Sequence, residues 1–64
     1  MTQKELLYVE DAIGHETNII GIIKDTINNL SDNKLVSFME SELKNHENLK
    51  KKLLNKLEVL SNEW

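Results

Sequence analysis

The chain has no cysteine, no proline and no arginine, and only two glycines and three aromatic residues among its 64 positions. Without cysteine there is no disulfide to brace a small fold and no thiolate zinc site. Without proline, little interrupts regular backbone structure. All eight basic residues are lysine, so the planar fork that reads guanine or clamps a phosphate with two prongs is missing. The formal net charge of −3 repels nucleic acid and anionic lipid, and neither is expected as a partner. No stretch reaches the ~20 consecutive apolar residues of a membrane span. The start, Met1-Thr2-Gln3-Lys4-Glu5, lacks the basic and apolar regions of a signal peptide, so synthesis in the cytoplasm without export is expected.

A chain this short buries a smaller share of its surface than a typical domain does. With disulfides excluded, stability must come from close helix packing, a metal or a partner. One break stands out, at Asn28-Asn29-Leu30-Ser31-Asp32-Asn33, where short polar side chains compete for backbone hydrogen bonds. The sequence therefore predicts a single domain over 1–64. Its helix one covers about 3–29, its turn about 30–33 and its helix two about 34–61. Thr2 and Glu5 have capping-box spacing. At the second start Ser31 can cap, with Leu30 packing on Leu35 as a hydrophobic staple, and Asp32 competes one residue later.

Apolar residues recur at heptad spacing. Leu6, Ile13, Ile20 and Ile27 form one line of helix one; Val9, Ile23 and Leu30 form the other, which Glu16 interrupts. On helix two Val36, Leu43, Leu57 and Trp64 are broken by Lys50, and Met39, Leu53 and Leu60 by His46. Outside these seams lie Ala12, Ile19 and Ile22 on helix one and Leu35, Phe38, Leu49 and Leu54 on helix two. A lone hairpin leaves such flanks wet. The fold class expected is all-α, an antiparallel two-helix hairpin dimerising with a second copy of itself into a four-helix bundle. Gly14 and Gly21, one heptad apart, imply either close approach of a neighbouring helix or space for a ligand or bulky side chain. Lys50, Lys51 and Lys52 read as a solvated face near a helix C-terminus.

The polar interruptions carry the only candidate chemistry. An antiparallel hairpin turning at 31 and 32 sets Glu16 level with His46 and Glu47, and Glu42 lies one turn before His46 on the same face. One reading is a Glu16–His46 ion pair that fixes register and oligomeric state. The other is a metal site of Glu16, Glu42 and His46, half of a di-metal carboxylate set, for iron, manganese or zinc. It departs from the usual Glu-x-x-His, because three residues separate Glu42 from His46 and Leu43 stands at the glutamate position. His15 is either a further ligand or a surface side chain. Ser31, Ser37, Ser41 and Ser61 have no glycine-rich elbow, and no phosphate-cradling loop is present. The sequence does not establish an enzymatic activity, any enzyme here would have to be metal-based, and no cofactor is expected outside the metal reading.

The run Tyr8-Val9-Glu10-Asp11-Ala12-Ile13-Gly14-His15-Glu16, the turn Leu30-Ser31-Asp32-Asn33-Lys34-Leu35, the Glu- and His-bearing second helix and the aromatic end at Trp64 resemble small spore coat proteins of the Coat F type, within the ferritin-like group. The resemblance implies a structural, spore coat-like component in a spore-forming bacterium. It also implies a helix-one metal ligand at Glu16, while the second-helix motif is not matched intact.

Overall fold

In the computed structural model, which describes residues 1–62, two helices account for nearly the whole chain: α1 (Gln3–Asn29) and α2 (Asn33–Asn62). They fold back on each other as an antiparallel hairpin. The Cα trace measures 48 × 15 × 11 Å, with a radius of gyration of 14.8 Å, against roughly 11 Å for a compact domain of this length. In so thin a rod every residue lies near the surface. Among the described residues only Ile20 and Ile23 are buried, and neither completely.

Both helices start on side-chain caps. The Thr2 backbone N–H donates to Glu5 Oε1 at 2.8 Å, and the Glu5 N–H donates to Thr2 Oγ1 at 3.1 Å. This reciprocal capping box satisfies two donors that the first turn leaves orphaned. At α2 the cap is Asp32, which corrects the preference for Ser31. Its Oδ1 accepts from the Lys34 and Leu35 N–H groups at 2.9 Å each, and its carbonyl accepts the first helical bond, from the Val36 N–H at 3.0 Å. A carboxylate accepts both bonds and complements the positive end of the helix dipole. Moving the cap by one residue takes Leu35 away from the staple position, and Leu35 is 52% exposed. The break between helices narrows to Leu30, Ser31 and Asp32, where Leu30 is extended and its N–H donates to the Ile27 carbonyl at 3.3 Å.

The heptad lines are the buried seam. Leu6, Val9, Ile13 and Ile27 of α1, and Val36, Met39, Leu43, Leu53 and Leu57 of α2, are half-buried, while Leu60 is exposed toward the open end. Trp64, expected to end one line, lies outside the described residues. Lys50 is half-buried in that seam, as suits a side chain whose stem covers apolar surface while its ammonium reaches water. The lysine run sits well inside α2 and not at its end, for the last turn of α2 holds no basic residue.

The two sides of the hairpin differ. The line of Val9, Glu16 and Ile23 meets the line of Met39, His46 and Leu53 at a Glu16–His46 contact, so the flanks beyond these lines share one side. That side carries Tyr8, Ile22, Leu35, Phe38 and Leu49, all exposed. Ile22 is 64% exposed and Phe38 60%. The opposite flanks carry Glu10, Thr17 and Lys24 from α1 and Glu40 and Glu47 from α2, all in contact with solvent. Leu7 and Leu54 are exposed on that second side as well, so the sides differ in degree, the first gathering the larger share of exposed apolar residues and the second more of the charged ones. Gly14 and Gly21 fall toward the polar side, and a Cβ added to either would meet nothing within 4 Å. The close approach expected of a neighbouring helix does not occur within the hairpin.

Candidate functional site

Glu16 occupies the middle of α1, held there by unbroken helix on either side. Its Oε2 lies 2.6 Å from His46 Nδ1 on α2. The Nδ1–H donates to the carboxylate, and the short distance is that of a charge-assisted hydrogen bond. The Glu16 side chain keeps 13% of its surface exposed and that of His46 27%, so the pair is partly shielded from water and yet not sealed from it. On the other edge of the ring, Nε2 lies 3.9 Å from Glu42 Oε2, one turn earlier on α2. That separation is beyond a hydrogen bond and within Coulomb reach. Glu42 stands on the apolar side of the hairpin, half-buried.

The three residues singled out from the sequence thus converge on one imidazole. Glu47, level with Glu16 along the axis, is exposed on the polar side. His15 is exposed as well, one residue from Glu16 and turned off the seam. The arrangement can do two things chemically. As it stands, it ties the two helices in one axial register, because sliding either by a turn parts a half-buried carboxylate from its only side-chain donor. With a ring nitrogen of His46 free and the carboxylates turned toward it, the same residues supply metal donors of a hard to borderline kind. Among the described residues, no group of three or more His, Asp or Glu side chains is arranged to hold a metal ion, and no pocket is present. No described side-chain polar atom is buried without a hydrogen-bond partner.

Glu5 lies apart from this layer. The Thr2 backbone N–H, and then the Thr2 hydroxyl, hold its carboxyl below the usual glutamate value. It is a structural cap at the rod's open end. Sequence reasoning underrated Lys52, which lies exposed on the apolar side of α2. The signal was its heptad offset from Leu35, Phe38 and Leu49, masked by reading the lysine run as one unit.

The geometry defines the chain as a helical hairpin with one polar layer at mid-length. No helix of the described residues is long and apolar enough to cross a membrane. Comparison with models of known protein families, with curated proteins and with solved structures returns no match.

Proposed function

We propose that this protein is a structural, protein-interaction component that pairs with a second copy of itself, apolar side to apolar side, to make a four-helix bundle. The supporting observation is the gathering of Tyr8, Ile22, Leu35, Phe38 and Leu49 on one side of a two-helix rod. Stable interfaces bury roughly 800 Å² per partner, and the broad side of the rod measures 48 × 15 Å, a little over 700 Å² before side chains are counted. Water contact with the apolar part of that side is unfavourable at ~25 cal/mol per Å². A second copy presents a surface of the same size and character, and closed two-fold pairing is the commonest arrangement of soluble assemblies. A spore coat-like setting rests on the sequence resemblance to Coat F type proteins.

Sedimentation equilibrium at micromolar concentration tests the reading. The expected mass is twice the 7.4 kDa of the chain or a multiple of that; a compact monomer throughout overturns it.

A second reading, a ferritin-like metal-binding bundle using Glu16, Glu42 and His46, rests on the donor types those residues supply and on the sequence resemblance. Elemental analysis of the purified protein decides it: stoichiometric iron, manganese or zinc, lost in His46→Gln, would make metal binding the better account.

A further inference from the structure

We infer that the two copies pair head to tail, the turn of one lying over the open end of the other, with Glu42 of each copy set against Lys52 of its mate. This rests on the self-pairing reading above and specifies its geometry. Two hairpins placed apolar side to apolar side admit two simple two-fold arrangements. One puts both turns at the same end, so that α1 lies over α2 of the mate. The other puts the turns at opposite ends, so that α1 lies over α1 and α2 over α2.

The charges on the apolar side distinguish them. Glu42 and Lys52 lie five residues either side of Glu47, at the middle of α2 (Asn33–Asn62). Head-to-tail pairing about that midpoint brings Glu42 level with Lys52 of the mate, twice per dimer. The same symmetry sets Leu35 against Val59, both exposed and apolar, and on α1 it sets Tyr8 against Ile22, with His15, midway between them, against the His15 of the mate. The turn-over-turn arrangement parts that mid-rod pair, and its own match of opposite charges, Glu5 over Lys56 of the mate, falls at the open end. The Glu16–His46 contact fixes which residues are level, and from it Glu42 falls over Ile19 of the mate, with no lysine of that side within a turn. A carboxylate laid on an apolar neighbour is desolvated without compensation, whereas opposed charges at an interface set its register and suppress the wrong one.

The chain has no cysteine, so single-cysteine reporters are clean. Ser31→Cys at the exposed turn carries a spin label without touching the interface. Pulsed electron–electron resonance on the dimer should give a label separation near the 48 Å length of the rod. Turns at the same end would give about 20 Å, for helix layers about 10 Å apart carrying flexible labels. Charge reversal supplies an independent arm. Glu42→Lys and Lys52→Glu should each weaken dimerisation about tenfold or more, and the double variant should return it to near the original constant. Lys52 is exposed and free of the His46 layer, so K52E reports even if E42K fails to fold. A dimer with close labels, or single reversals that neither weaken nor rescue, overturns the head-to-tail arrangement and leaves self-pairing intact. A natural chain that stays monomeric overturns both.

Discussion

His46 Nδ1 stands 2.6 Å from Glu16 Oε2, joining α2 to the middle of α1 across 30 positions of chain. Both partners are mostly shielded, so removing one leaves the other partly buried and unpaired. Glu16→Leu and His46→Leu should each destabilise the hairpin by about 1–3 kcal/mol. The double replacement should recover most of that loss or exceed the original stability, since apolar side chains fill the layer without desolvating a polar group. Urea unfolding of the four chains, compared at constant protein concentration, measures the coupling. Additive losses would show that the contact contributes nothing.

Ile23 and Ile22 are neighbours in sequence with opposite environments, 5% and 64% exposed. Ile23→Ala should cost about 2–5 kcal/mol, enough to unfold most of so small a fold at room temperature. Ile22→Ala touches little within the hairpin and should leave an isolated monomer nearly unchanged, while weakening the dimer several-fold. Circular dichroism at dilutions spanning the dimer dissociation constant separates the two effects. Equal losses at all dilutions for Ile22→Ala would remove that residue from the interface.

Gly14 and Gly21 are helical, with neither at positive φ, and have open space where a Cβ would sit. Glycine in a helix interior costs about 1 kcal/mol relative to alanine through lost backbone freedom. Gly14→Ala and Gly21→Ala should therefore each raise stability by about 0.5–1 kcal/mol, with dimer affinity unchanged, because both lie toward the polar side. Weakened association in either variant would place a second contact surface there.

Asp32 accepts two backbone bonds at the start of α2, whereas Ser31 is exposed and precedes the cap. Asp32→Ala should cost about 1 kcal/mol; Ser31→Ala should change stability little. Thermal melts of both variants decide this, and a larger loss at Ser31 would restore the earlier cap.

The Glu5 cap makes the first turn of α1 sensitive to acid. Its folded carboxyl titrates below the ordinary value because Thr2 donates to the charged form. A depressed folded value means that the contribution is present above the unfolded value, near 4.3, and is lost as pH falls through the lower folded one. The first turn of α1 should thus fray on acidification below about pH 4, seen as loss of helical carbon shifts at Gln3 to Leu6 in NMR titration. Thr2→Ala should remove that step. A titration at Glu5 with the ordinary midpoint in the natural chain would contradict the capping box.

The hairpin was legible in the residues because helix and seam depend on local physics: heptad spacing, capping chemistry and the absence of breakers act within a few residues of each other. The single polar break at 28–33 located the turn for the same reason. The capping box at Thr2 and Glu5 followed directly from spacing, while the second cap went to Asp32 instead of Ser31, since two adjacent residues both suited the position and only the backbone path chose between them. The level of Glu16 with His46 followed from the turn's position and the antiparallel geometry.

Three features were decided by tertiary structure alone. One is the 2.6 Å bond at Nδ1 against the 3.9 Å gap at Nε2, because sequence spacing sets which residues are level and says nothing of rotamers. Another is which flanks share a side, because it depends on which seam line of α1 faces which line of α2. The last is the empty space at Gly14 and Gly21, because helix propensity records the cost of a glycine and only the packed chain shows whether a neighbour fills the room it leaves.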